Sequence, residues 1–240
     1  MIRMLYLNNK RITLDLSKMT MVGSGKEGTV YRYSEDKCIK IFDHQRYDGN
    51  LLPINNDKFK LFTTIDTKHI ILPEKLLYNE VGEIQAYIMN YIRSHFNLSE
   101  IRDKNILELI NELRVLRSDI EILNQYNILI NDLKPPHLLY NNGFYLIDSS
   151  LYTKYEYDHV LDYDVTKRNT YLVNELFINV LLGLKASPHD FSLTFKDIPY
   201  IYRYYNQNSI PFFADVLEKE AYDKKVKTLK QLRAFYYKKD

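Results

Sequence analysis

The chain of 240 residues carries 33 Lys and Arg against 31 Asp and Glu, a formal net charge of +2, and is 45% hydrophobic. That apolar share supports a packed core and excludes wholesale disorder. The near balance of charge gives no electrostatic reason to expect nucleic acid or an anionic membrane as a partner. A single cysteine, Cys38, excludes an internal disulfide and a cysteine-built zinc site.

In chain order, Met1 to Tyr6 is too short and broken an apolar run for a signal peptide. No apolar stretch reaches the ~20 residues of a bilayer span, so a soluble, cytoplasmic protein is expected. Residues 11–15 alternate weakly. Strands are predicted over 19–22, 29–33 and 37–42, followed by a polar loop over 43–54. Residues 55–65 read as a short helix with Phe59 and Phe62 on one face. Strands at 72–78 and 84–92 flank a Glu80-Val81-Gly82 turn, which makes five strands and one helix in the first part.

The period then changes. From Leu98 to Tyr126, Ile106, Leu109, Ile110, Leu113, Leu116, Ile120 and Leu123 recur at helical spacing, with Ser99 as a candidate cap. Short apolar pieces at 128–130 and 138–140 flank Asn131-Asp132-Leu133-Lys134-Pro135-Pro136-His137. Asn141-Asn142-Gly143 signals a hairpin into Phe144 to Ile147. Residues 169–184 and 211–237 are predicted helices.

Glycine is scarce at seven, and Gly23, Gly25 and Gly28 place three of these in six positions. Backbone amides without Cβ crowding can close over phosphates there. A dinucleotide-binding turn needs a helix after the glycines. Here Thr29-Val30-Tyr31 reads as strand, so the motif joins two strands, as in a phosphate lid or an ordinary hairpin. Lys40, ending the next strand, is either an ammonium under that lid or a solvated strand lysine. Asp132 on a loop can orient a hydroxyl and accept its proton. Lys134 can neutralise a transferring phosphoryl group. Asp148, after a strand, can hold magnesium. Alternatively these residues form a polar connection between strands.

Taken in order, Gly23-Ser24-Gly25-Lys26-Glu27-Gly28-Thr29-Val30, Cys38-Ile39-Lys40, Asn131 to Leu139 and Ile147-Asp148-Ser149 resemble the eukaryotic-like protein kinase family over roughly residues 18–185. The resemblance implies an α+β, two-lobed fold: a small β-rich lobe over 1–90 and a mainly helical lobe over 91–240, together one domain. It implies ATP and Mg2+ as cofactors and a Ser/Thr hydroxyl, on a protein or a small molecule, as acceptor. By the same resemblance Lys40 grips the inner phosphates, Asp132 is the catalytic aspartate, Lys134 its companion, and Asp148 the metal ligand. Gly23, Ser24, Gly25 and Gly28 cover the phosphates. Val30 and Cys38 roof the adenine, Leu139 floors it, Met89 is the gatekeeper, and Asn90 to Ile92 form the hinge.

Departures from the family pattern shape the expectation. His137 stands where the family has Asn as second metal ligand, which favours Mn2+ over Mg2+. Asn131 replaces the Arg that answers a loop phosphate, so control by loop phosphorylation is not expected. Ser149-Ser150 replaces Phe-Gly, no Ala-Pro-Glu follows, and only about twenty residues separate Asp148 from the next predicted helix. No Glu occurs over 41–73, so Asp57 is the nearest choice of acid for Lys40. A Ser/Thr kinase, a small-molecule kinase and a nucleotide-binding pseudokinase all remain open. His44, His69, His95, His159 and His189 lack ligand spacing, and Tyr200, Tyr202, Tyr204 and Tyr205 read as packing. The basic end from Lys224 to Lys239 reads as a docked helix with a solvated lysine face.

Overall fold

A computed structural model describes residues 2–25, 27–43, 56–93, 97–155, 164–183 and 211–237. His44, His95, His159, His189 and Tyr200 to Tyr205 lie outside these residues. The chain divides into two compact units, Met1–Thr67 with Ile71–Arg93, and Lys68–Ile70 with Ser94–Asp240. No helix among the described residues is long and apolar enough to cross a membrane.

The first unit holds β1 (Ile2–Leu7), β2 (Lys10–Asp15), β3 (Met21–Gly25), β4 (Gly28–Arg32), β5 (Lys37–Phe42), α1 (Asn56–Phe62), β6 (Lys75–Tyr78) and β7 (Ile84–Asn90). The strands make one sheet in the order β2-β1-β6-β7-β5-β4-β3, with every pairing antiparallel. Seven strands replace the five expected. The β1–β2 hairpin was missed because its strands alternate only weakly. Its signal was Asn8-Asn9, at φ 49° and 61°, since a two-residue hairpin turn needs left-handed backbone and Asn tolerates it.

One sheet face buries Leu5, Leu14, Ile39, Ile41, Leu77, Ala86 and Ile88. The other is covered by α1, whose Phe59 packs its ring 5.4 Å from Phe42 and 5.5 Å from Tyr87. Phe59 and Phe62 are both buried, as their spacing predicts. Each such burial stabilises by roughly 2–3 kcal/mol.

The second unit contains α2 (Leu98–Ile101), α3 (Ile106–Gln125), β8 (Ile128–Leu129), β9 (Leu138–Tyr140), β10 (Phe144–Leu146), β11 (Thr153–Lys154), α4 (Val165–Phe177), α5 (Phe213–Lys224) and α6 (Leu229–Tyr237). The apolar stripe of α3 is buried at every predicted position. The predicted helix over 98–126 is broken, however. Asn97 caps α2 and Asn105 caps α3, each accepting a backbone N–H two residues on. Ser99 is therefore not a cap; its N–H donates to Asn97.

The helix predicted from 169 starts earlier, where Asp164 accepts from the N–H of Lys167. It continues past Phe177 as a π turn, Ile178–Leu182, and ends at Gly183 with φ 69°. The helix predicted over 211–237 is two helices, separated at Lys225, which sits at φ 53°. In the basic end, Leu229 and Leu232 are fully buried and Phe235 is exposed, which fits a docked helix. His69 is a packing residue: its ring stacks 4.8 Å from Tyr145 and its N–H donates to the buried Asp119 at 2.5 Å.

Candidate functional site

Residues paired across a sheet project to the same face. The register runs Gly25–Gly28–Phe42, Gly23–Val30–Lys40–Tyr87 and Arg32–Cys38–Met89. Gly23, Gly25, Gly28, Val30, Cys38, Lys40 and Met89 thus share one face without any side chain having to reach. Ser24 pairs with Thr29 and belongs to the opposite face, where the two hydroxyls lie 3.3 Å apart. Only its backbone is available on the glycine face.

The three glycines have different reasons to be glycine. A Cβ on Gly28 would overlap the carbonyl oxygen of Ile41, so this position is required by strand packing. A Cβ on Gly23 or Gly25 would meet nothing within 4 Å. Packing therefore leaves these two unexplained, and an open backbone there can receive a ligand at close range.

At the end of β7, Asn90 pairs with Lys37 across the sheet, on the face away from Cys38. Lys37 Nζ donates to Asn90 Oδ1 at 2.6 Å and to both oxygens of Glu74 at 2.6 and 2.7 Å. The Tyr91 N–H is taken by Asp36 O at 2.8 Å, and Ile92 is half-buried. The Cys38 thiol lies 3.5 Å from Asn90 O. Burial, reinforced by the charge of Glu74, pushes that thiol up to about 12. It is a packing group on this face and a poor nucleophile at neutral pH.

Lys40 is 5% exposed. Its Nζ is 3.1 Å from Glu27 Oε2. Asp57, the acid expected for it, is instead 97% exposed and lies 3.8 Å from Lys60. The acid beside Lys40 comes from inside the glycine motif itself, not from the helix.

In the second unit, the loop after β8 carries Asp132 at φ 57°, and the segment after β10 carries Asp148 at φ 63°. Asp tolerates left-handed backbone better than most residues, and here neighbouring groups hold the two segments in place. Those neighbours can be named. Asn169 of α4 is fully buried. It accepts the Ile130 N–H at 2.7 Å and donates to Ile128 O at 2.8 Å and Asn124 Oδ1 at 2.7 Å. Asn131 donates to Thr153 Oγ1 at 2.9 Å and Leu151 O at 3.3 Å, and β11 pairs with β8. The segment after Asp148 is tied to the loop through this amide, with no phosphate-binding Arg in its place. Sequence reasoning missed Asn169; a buried-face Asn inside an apolar helix was its only signal.

Lys134 Nζ contacts both Asp132 oxygens, at 2.6 and 2.7 Å. His137 Nδ1 is 2.8 Å from Asp132 O. A carbonyl can only accept, so Nδ1 donates. The other ring nitrogen, Nε2, lies 3.7 Å from Asp148 Oδ2. The other Asp148 oxygen accepts from Ser150 Oγ at 2.6 Å. Ser149 and Tyr152 are buried beside it. Burial and the charge of Asp148 raise the Tyr152 phenol above its ordinary range. Leu139 is half-buried on β9 opposite Tyr145.

The structure thus brings Asp132, Lys134, His137 and Asp148 together. The His137 nitrogen and the Asp148 oxygen form a mixed donor pair. Among the described residues no three His, Cys, Asp or Glu side chains converge on one point. A cation there would draw its remaining ligands from water or substrate. Imidazole suits Mn2+ better than Mg2+.

No family model matches the sequence, and no curated protein matches it. Among solved structures, the chain is similar to the kinase PK-1 of Cydia pomonella granulovirus, at 17% identity over 70% of each chain with a TM-score of 0.50. With the antiparallel sheet of the first unit and the helices of the second, this likeness establishes a two-lobed, kinase-like α+β fold.

Proposed function

We propose that the chain is an ATP-dependent phosphotransferase that moves the γ-phosphoryl group to a hydroxyl, with Ser or Thr side chains as acceptors. The observation that carries this reading is the loop cluster, in which Asp132 and Asp148 are linked through the His137 imidazole and Asp132 is paired with Lys134. The parts of this cluster match the needs of phosphoryl transfer. Asp132 orients the acceptor hydroxyl and takes its proton. Lys134, already beside Asp132, neutralises charge on the phosphoryl group. Lys40 faces the inner phosphates from the sheet, and the open backbone of Gly23 and Gly25 covers them. Val30, Cys38 and Met89 line the base, and the backbone of Asn90 and Ile92 reads its edge.

Asp148 Oδ2 and His137 Nε2 would hold a divalent cation, Mn2+ in preference to Mg2+. When bound, such an ion neutralises phosphate charge. Phosphoryl transfer is mostly positioning and electrostatics, so a changed ligand set weakens it without forbidding it.

Labelled ATP with Mg2+ or Mn2+, wild type beside Asp132→Asn, tests the reading. Transfer to a protein hydroxyl is expected, faster with Mn2+, and lowered roughly 10³-fold in the variant. Transfer only to added small hydroxyl compounds would move the acceptor to that class. ATP binding with no transfer under either metal would make the chain a nucleotide-binding module, and no binding at all would end the proposal.

A further inference from the structure

The end of the glycine hairpin away from its turn carries a concave site of about 440 Å³, all of it within the first unit. Its charged lining is Lys18, Arg32 and Arg93 against the single carboxylate of Glu35. Glu35 accounts for Arg93, with Oε1 3.2 Å from Nη2. Asp15 accounts for Lys18, at 3.6 Å. Arg32 is the charge left over. It is half-buried, and its contacts are neutral. Nε donates to Ser34 O at 3.1 Å, Nη2 donates to Glu35 O at 2.9 Å, and the guanidinium carbon lies 4.6 Å from the centre of the Tyr91 ring. No carboxylate among the described residues pairs with it.

Two main-chain carbonyls and an aromatic face thus fix the plane of this guanidinium in advance. A guanidinium has five N–H donors. The carbonyls take Nε and one Nη2 hydrogen, which leaves the fork of Nη1 and Nη2. Such a fork matches two oxygens of one anion. A tetrahedral dianion has oxygens enough to meet Arg32 and Arg93 together. The Glu35 side chain beside Arg93 is 86% exposed, and an exposed ion pair costs little to displace.

The site is also separate from the glycine turn. Gly28 pairs with Phe42 and Arg32 with Cys38, at opposite ends of β4. Four residues of strand put about 13 Å between those ends. We propose that this rim is a second anion site, which binds a phosphomonoester group through Arg32, with Arg93 and Lys18 in support. A phosphorylated side chain of a polypeptide and a small phosphorylated compound present the same dianion to it.

Titration calorimetry on the full chain, with a phosphoserine peptide, free phosphoserine and the unphosphorylated peptide as probes, tests this. The phosphopeptide should bind at least about tenfold more tightly than its unphosphorylated form. Arg32→Gln should weaken it roughly tenfold. Arg32→Lys, which keeps the charge without the fork, should recover only part of that loss. Affinity should rise several-fold between pH 5 and pH 7.5, as the ester loses its second proton near pH ~6. Should Arg32→Gln fail to fold, Lys18→Gln combined with Arg93→Gln, at two exposed side chains, decides the matter: several-fold weaker binding supports the site, and unchanged binding overturns it. A phosphopeptide that binds more tightly than free phosphoserine assigns the ligand to a protein segment, and equal affinity assigns it to small esters. Saturating ATP should leave the phosphopeptide bound. Displacement by ATP would move the ester to the nucleotide site and overturn the inference. So would wild-type affinity in Arg32→Gln, or a wild type that binds neither phosphorylated probe.

Discussion

The glycine hairpin and the Asp132 loop place charged and polar side chains on opposite kinds of backbone. In the first unit, Val30, Cys38, Lys40 and Met89 share a face because antiparallel register allows nothing else. Pairing and pleat do the positioning, and most of the side chains need no special neighbour. In the second unit, Asp132 and Asp148 sit in left-handed backbone. Their placement depends on amides distant in sequence: Asn169 from α4 for the loop, Asn131 for the segment that follows Asp148. The first arrangement should tolerate substitution except where backbones touch. The second should fail when a buried hydrogen-bonding group is removed far from the chemistry.

The largest expected effect in that comparison is at Asn169. Asn169→Leu leaves the Ile130 N–H and the Ile128 carbonyl without their partner inside the protein. Each orphaned buried group costs roughly 1–3 kcal/mol, so a loss of about 3 kcal/mol is expected in urea unfolding. Phosphoryl transfer should fall together with stability. A loss below about 1 kcal/mol would mean that the loop holds itself and that α4 is only packing.

Gly28 and Gly25 sharpen the other half. Gly28→Ala drives a methyl into the Ile41 carbonyl and should cost about 2 kcal/mol through strand displacement. Gly25→Ala meets open space and should change stability by less than about 0.5 kcal/mol. Its effect should appear instead as weaker nucleotide binding. Equal destabilisation by the two substitutions, measured side by side by thermal melting, would remove the distinction between a packing glycine and an open one.

The same contrast explains what the sequence revealed. The three-glycine cluster, the alternation around Lys40 and the α3 stripe are periodic signals, and period maps directly onto face. The loop motif was legible by type and order, but its supports were not. Asn169 and Glu27 act through contacts that no local pattern encodes, one from 41 residues downstream of Ile128 and one from within a motif read for its glycines. Asp57 failed as the partner of Lys40 because position on a helix says little about which side of the first turn faces the sheet. The breaks at 102–105 and at Lys225 escaped notice because apolar spacing continues across them, while the caps that interrupt the helices are single Asn side chains or left-handed residues.

A further effect is a pH dependence on the helix that anchors the loop. Glu175 lies on α4, and burial pushes its carboxyl up to about 7 against the opposing pull of Arg168. The folded state then holds this proton more tightly than the unfolded chain does. Its contribution is fully present below the ordinary glutamate range and is lost as pH rises toward 7. The side chain is half-buried, so screening by solvent reduces the expected loss to about 1 kcal/mol. Glu175→Gln, which stays neutral, should match wild type near pH 4.5 and exceed it by a few degrees in melting temperature at pH 8. Because Asn169 sits on the same helix, transfer activity at pH 8 should become more resistant to heat in the variant. Parallel melting curves at both pH values would show that α4 carries no buried charge, leaving the amide as the helix's sole contribution to loop stability.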